Sequence, residues 1–228
     1  MKTLKFITNM VLVSIISISV YKTVDTYAEY KKADEVYETI RTEKADMEQE
    51  DSQINHKDYR GWIKINSTNI DYPVFQGKDN LYYLDKDISG KYLISGCIFM
   101  NFTNNDFEDQ NTILFGHNMK NGTMFADLSK YKQKDFFYNN NHIDIEINTN
   151  QHLKYEVFSV YTTEATDDYI ITNFDSDEAY KQFVEQIKNK SIYKSDIQID
   201  EQDKIITLST CSSEFKDARL VVHGRLKK

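Results

Sequence analysis

Proline is almost missing from this 228-residue chain: there is one, Pro73, and glycine numbers only seven. Low Pro and Gly exclude a collagen-like, linker-like or low-complexity chain. Cysteine occurs twice, as Cys97 and Cys211, which is too few for a disulfide framework. Basic residues are outnumbered, 28 Lys and Arg against 36 Asp and Glu, so the formal net charge is -8. An acidic balance of that size argues against nucleic acid as a partner. The sequence has no Gly-rich phosphate loop. No two of its five histidines stand at metal-ligand spacing with a supporting carboxylate or cysteine, so neither a metal nor another cofactor is expected. Aromatic residues, by contrast, are plentiful, with 16 Tyr and 13 Phe. That composition belongs to a folded, β-rich body rather than a disordered chain.

The longest uncharged run, Phe6 to Tyr21, is flanked by Lys2, Lys5 and Lys22. It falls a little short of the roughly 20 residues of a spanning helix, and lysines at both ends can snorkel. A cleaved signal peptide, a buried core helix and an uncleaved signal anchor compete for it. Thr26-Tyr27-Ala28 is a poor small-residue cleavage site, and a core helix would not carry this flanking charge. The anchor is therefore expected over residues 1–25. The positive-inside rule puts its N-terminus in the cytoplasm and the rest of the chain outside the cell membrane. Residues 26–55 are expected to form a helical segment, since Val24, Tyr27, Tyr30, Ala33, Tyr37 and Ile40 recur at spacings of three and four. A polar stretch from Thr42 to Ser52 leads to the body, residues 56–228.

In that body the pattern is mainly strand. Short β-branched or alternating runs appear at Trp62–Ile65, Ile70–Phe75, Ser95–Met100, Thr112–Phe115, Ile143–Asn148, Leu153–Thr163, Lys204–Thr210 and Ala218–Leu226. Helices are expected from Thr123 to about Phe137 and from Ser176 to about Lys190. The second has a fair N-cap in Asp175 or Ser176 and acidic Asp177 and Glu178 in its first turn. Eight strands with inserted helices suit a mainly β, closed barrel.

Chemistry concentrates near the C-terminus. The run Ile205-Ile206-Thr207-Leu208-Ser209-Thr210 ends on Cys211, a polar turn follows, and Ala218-Arg219-Leu220-Val221-Val222 begins the next strand. If the two strands pair, Cys211 and Arg219 share one rim of the sheet. A thiol beside a guanidinium can be a nucleophile with a built-in positive charge. On chemistry alone the competing reading, a small buried apolar cysteine, stays open. His117 follows the strand Thr112–Phe115 through Gly116 and could reach the same rim, or be a polar surface residue. His56, His142 and His152 lie in polar surroundings, and His223, inside the last strand, reads as structural.

Thr207-Leu208-Ser209-Thr210-Cys211, with Arg219 eight residues on, resembles the active-site motif of the sortases, cysteine transpeptidases of the Gram-positive cell surface. Val221-Val222-His223-Gly224-Arg225-Leu226 is similar to the class B branch. So are Gly61-Trp62-Ile63-Lys64-Ile65, Asn69-Ile70-Asp71-Tyr72-Pro73-Val74 and Gln76-Gly77-Lys78-Asp79-Asn80. Phe115-Gly116-His117-Asn118 resembles the segment carrying the family's histidine. The resemblance spans about residues 55–228. It implies a sortase-type eight-stranded barrel with N-terminal helices against it. It implies Cys211 as nucleophile, His117 as proton shuttle and Arg219 as electrostatic stabiliser, with Asn80, Leu84 and Ser209 lining the substrate groove. It implies cleavage of a C-terminal sorting motif after threonine, through a thioester, on surface proteins bearing that signal. The acceptor would be an amine of a peptidoglycan precursor or a pilin.

Two other readings stand beside this one. Ser95-Gly96-Cys97-Ile98 is faintly similar to the cysteine motif of L,D-transpeptidases, but lacks that motif's histidine and has Phe99 where its arginine belongs. A non-catalytic, membrane-anchored surface-binding domain could use the same barrel without chemistry. Retention of Cys211, His117 and Arg219 together speaks against it.

Overall fold

The computed structural model describes residues 2–49, 54–148 and 151–227. The expected polar stretch after Thr42 therefore lies partly outside the described residues. One helix, α1 (Lys2–Gln49), runs through the expected boundary at residue 25 without a break. Its first half is bare: Phe6 to Tyr27 expose every large apolar side chain. This helix is long and apolar enough to cross a membrane. Of the apolar face expected between Val24 and Ile40, Val24 and Tyr27 remain exposed, whereas Ala33, Tyr37 and Ile40 are buried against the body.

That body is a closed eight-stranded barrel. Its strands are β1 (Tyr59–Lys64), β2 (Asp71–Phe75), β3 (Ile98–Met100), β4 (Asn111–Phe115), β5 (His142–Asn148), β6 (Gln151–Glu164), β7 (Ile205–Cys211) and β8 (Ala218–Leu226). Around the barrel the order is β1-β2-β3-β4-β7-β8-β6-β5. The β2–β3 and β4–β7 pairs are parallel and the other pairs antiparallel. Ile63, Val74, Ile98, Leu114, Leu208 and Val222 belong to the main core and are wholly buried. Helix α3 (Asp177–Lys190) covers a second apolar cluster with Tyr180, Phe183, Val184 and Ile187. Its N-cap is Ser176, whose Oγ accepts the Ala179 N–H at 3.2 Å.

Strand β1 spans Tyr59–Lys64 where Trp62–Ile65 was expected, and two further elements differ from expectation. Strand β3 begins at Ile98 rather than Ser95, because Gly96 sits at φ +53°, outside the extended region. In place of one helix over residues 123–137 there is a 3-10 helix, Ala126–Lys132, and a short α2 (Lys134–Asn139). Gln133 between them is extended, at φ -90° and ψ 127°. Phe125, Leu128 and Tyr131 are buried and recur every third residue, the 3-10 period.

His223 on β8 is fully buried and fully bonded. Tyr161 O–H lies 3.1 Å from Nε2, and Nδ1 lies 2.9 Å from Thr207 Oγ1, which itself donates to Asn111 Oδ1 at 2.7 Å. Because the threonine proton is committed to Asn111, Nδ1 carries the imidazole proton and Nε2 accepts from the tyrosine. Burial, and secondarily the Lys190 charge, holds the His223 pKa down to about 3. Unfolding releases the ring to its ordinary value near 6.5. The unfolded state thus binds the extra proton, and this stability is complete above about pH 6.5 and lost as pH falls toward 3. We expect chemical denaturation to show His223→Gln with a shallower acid dependence, by up to about 1.4 kcal/mol per pH unit across that window. Identical slopes would contradict a neutral buried His223.

Candidate active site

Strand register assembles the site. In the parallel β4–β7 pair, Phe115 stands opposite Ser209. Two residues beyond each come His117 and Cys211, so both reach the same barrel rim. In the antiparallel β7–β8 pair, Cys211 stands directly opposite Arg219. The cysteine therefore lies between the histidine and the arginine, with neighbouring strands about 5 Å apart. Cross-strand bonds fix the rim. Thr210 Oγ1 donates to Gly116 O at 2.7 Å, Gly116 N–H to Ser209 O at 3.2 Å, and Asn118 Nδ2 to Cys211 O at 2.9 Å.

The three side chains are differently placed. Cys211 is exposed and its thiol is free. His117 is half-buried, and its Nε2 lies 2.8 Å from the carbonyl oxygen of Leu84. A carbonyl only accepts, so Nε2 carries the proton there and Nδ1 is the basic nitrogen. Arg219 is half-buried and donates through Nη1 to the Ala218 and Asp217 carbonyls, at 3.1 and 3.4 Å. Among the described residues it forms no ion pair. The nearby Glu214 carboxylate is engaged by Lys132 and Thr162 instead. The Arg219 charge thus stays available beside the thiol.

A cleft of about 270 Å³ opens over the three residues, lined also by Leu81, Phe99, Phe115, Tyr169 and Ile170. All three expected groove residues reach it. Leu84 presents a partly exposed side chain. Ser209 is buried, with its Oγ 3.0 Å from Tyr169 O–H. The Asn80 amide is largely committed to the adjoining turn: Oδ1 accepts the Phe102 N–H at 3.0 Å and Nδ2 reaches Asn101 Oδ1 at 3.4 Å.

Comparison with known proteins decides the family. Residues 63–227 match the sortase domain. The curated sortase B of Listeria monocytogenes is 40% identical over 179 residues, 77% of this chain and 72% of that protein. Sortase B of Staphylococcus aureus is 36% identical across 100% of this chain and 98% of its own. The X-ray structure of Clostridium perfringens sortase B superposes with a TM-score of 0.72 at 39% identity, covering 75% of this chain and 94% of that one. A Staphylococcus aureus sortase B–substrate complex does so at 0.78 and 34% identity, covering 88% and 98%. The chain belongs to the sortase family, class B.

This sortase is accordingly a cysteine transpeptidase, and its two thiols differ in exposure: Cys211 is exposed and Cys97 is not. Cys97 is buried and its Sγ lies 3.3 Å from the Lys86 carbonyl. Burial pushes that thiol up to about 12, with Asp87 adding to the rise and Tyr37 opposing it. At neutral pH it is a packed, protonated side chain, not a nucleophile. The L,D-transpeptidase-like reading of Ser95–Ile98 has no structural support: the segment is a glycine-kinked approach to β3 inside the core. Cys97→Ser is expected to cost about 1–3 kcal/mol through an imperfectly satisfied buried hydroxyl, with turnover per folded molecule unchanged. Thermal melts and steady-state rates check this, and a folded but inactive Cys97→Ser would contradict it.

Reading the sequence missed Tyr169, Asn118 and the carbonyl of Leu84. Tyr169 is buried, bonded to Ser209 and within electrostatic reach of both Cys211 and Arg219; burial raises its phenol pKa. Nothing in its local sequence, Asp167-Asp168-Tyr169-Ile170, marks it. A backbone carbonyl leaves no signal in side-chain identity at all.

Proposed function

We infer that this sortase cleaves a C-terminal sorting motif after threonine and transfers the acyl part to an amine. The reading rests on one observation, the placement of Cys211 between His117 and Arg219 at a single rim. The Cys211 thiolate attacks the threonine carbonyl carbon. Arg219 donates to the oxygen as negative charge develops there. The C–N bond breaks, the leaving nitrogen takes a proton from the His117 imidazolium, and a thioester remains on Cys211. An amine then enters, gives its proton to the neutral imidazole through Nδ1, and attacks the thioester. The new amide forms, the C–S bond breaks and the thiolate is restored.

Asn80, Leu84 and Ser209, with Tyr169 and Ile170, bind the motif in the cleft. The substrates are surface proteins bearing a sorting signal, and the acceptor is an amine of a peptidoglycan precursor or a pilin. Residues 1–25 anchor the enzyme in the cell membrane in a single pass, N-terminus inside. Residues 26–55 carry the docking helix and residues 56–228 the catalytic barrel, which faces the exterior. The bare apolar half of α1 supports this arrangement.

The test uses purified residues 26–228, a pentapeptide library and a short oligoglycine or lysine amine, with products identified by mass spectrometry. The expected result is cleavage after threonine and a new amide to the added amine, from a protein that melts cooperatively. Release of the free acid alone, unaffected by any amine, would contradict the transfer step.

A further inference from the structure

The docked half of α1 meets the barrel at a point from which two contact routes lead to His117. Tyr37 is the meeting point: it is 4% exposed and projects from α1 into the main core.

The first route reaches the imidazole ring. Tyr37 O–H donates to the carbonyl oxygen of Gly96. Gly96 has φ +53°, and a Cβ there would collide with the carbonyl oxygens of Tyr83 and Leu84. Only a glycine lets the two segments touch. The next residue fastens them, Cys97 N–H donating to Tyr83 O at 2.9 Å. The Leu84 carbonyl held against this kink is the one that takes the His117 Nε2–H at 2.8 Å.

The second route reaches the His117 backbone. The Tyr37 ring stands edge-on to Tyr72, with centroids 5.0 Å apart, and Arg41 of α1 lies over the same Tyr72 ring at 5.5 Å. Tyr72 Oη accepts the Met124 N–H at 3.1 Å. Met124 pairs with Asn118, and the Phe125 N–H donates to His117 O at 2.9 Å. Tyr37 thus braces both the carbonyl that orients the ring and the loop that carries the residue.

We propose that Tyr37, on the docked half of α1, is a positioning residue for His117. This rests on His117 acting as the proton shuttle. A general acid delivers its proton only from the right place, and small displacements of such groups are costly in rate. The hydroxyl sets where the Gly96–Leu84 contact sits and, through it, which imidazole nitrogen carries the proton.

The test is Tyr37→Phe, which keeps the ring against Tyr72 and removes only the hydroxyl. Its kcat on a sorting peptide is expected to fall about tenfold while KM stays within about twofold, the signature of an interaction used in the chemical step. Ring ¹⁵N–¹H correlation spectra should show the wild-type His117 proton on Nε2 and a mixture of tautomers in Tyr37→Phe. Ile40→Ala, which trims α1 packing nearby, should lower the melting temperature and leave kcat and the His117 ring signals unchanged.

The proposal is overturned by a Tyr37→Phe enzyme with wild-type kcat and tautomer. A fall in kcat that Ile40→Ala reproduces overturns it as well, as does a wild-type ring protonated on Nδ1. His117→Ala is run in parallel: if that variant remained active, the assignment of His117 itself would fail, whereas an inactive His117→Ala with an unaffected Tyr37→Phe sinks only the positioning role.

Discussion

Cys211→Ala is expected to abolish peptide cleavage while leaving the barrel as stable as before. The residue is exposed at the end of β7, and its thiol bonds to nothing among the described residues. Its structural contribution is a backbone carbonyl that accepts from Asn118, and alanine supplies that equally well. An exposed position with no side-chain partner tolerates truncation within about 0.5 kcal/mol. The chemical effect is of another order. Removing the nucleophile from an enzyme that forms a covalent intermediate costs about a millionfold in turnover. Arg219 and the cleft remain, so the variant should still bind the peptide it can no longer cut. Steady-state cleavage of a quenched sorting peptide, with binding and thermal melts alongside, reads all three quantities. Residual cleavage within a few-fold of wild type would place the nucleophile elsewhere, and buried Cys97 could take that role only by opening the core.

Arg219→Lys should fold normally and lose most of its activity. If Arg219 were only a surface cation for Glu214 or Asp217, lysine would serve nearly as well, since exposed pairs contribute about 0–1 kcal/mol. The geometry weighs against that role, because Glu214 is held by Lys132 and Thr162, and Arg219 touches Asp217 only through its backbone carbonyl. The guanidinium is a planar fork: Nη1 reaches the Ala218 carbonyl at 3.1 Å, while among the described residues its other nitrogens make no hydrogen bond and can serve the rim. Lysine offers one compact charge and cannot do both. Losing an oxyanion-type donor costs about a hundred- to a thousandfold in kcat. The retained charge softens the loss to about tenfold at the mild end. Equal turnover at equal stability would remove Arg219 from the mechanism.

These two residues were legible from sequence because they are local. A β-branched run, a polar turn and a second run make a hairpin, and a hairpin sets Cys211 opposite Arg219 with no knowledge of the rest of the fold. His117 is different. Its place depends on the parallel β4–β7 pairing, which joins strands 94 residues apart, as Asn111 and Ile205 are. No periodicity announces such a partner: the strand end at Phe115 left His117 with two readings, rim or surface, and the resemblance to sortases chose between them. The eight strands were readable as apolar runs, and their order around the barrel was not. In β3 and over residues 123–137 a local backbone rule prevailed: a left-handed glycine delays the start of β3 to Ile98, and a three-residue apolar repeat makes a 3-10 helix. The unbroken α1 shows the converse, since the change from bare to docked at about Tyr30 follows which residues meet the barrel rather than any helix break.

The central claim is that Cys211 carries the acyl group between donor and acceptor. Its most direct measurement is the intact mass of the enzyme mixed with sorting peptide and no amine, followed by proteolytic mapping. The account predicts a mass increase equal to the fragment ending in threonine, located on the peptide containing Cys211 and discharged by added amine or hydroxylamine. An enzyme that cleaves the peptide with no such adduct, or with the adduct on Cys97, would contradict it.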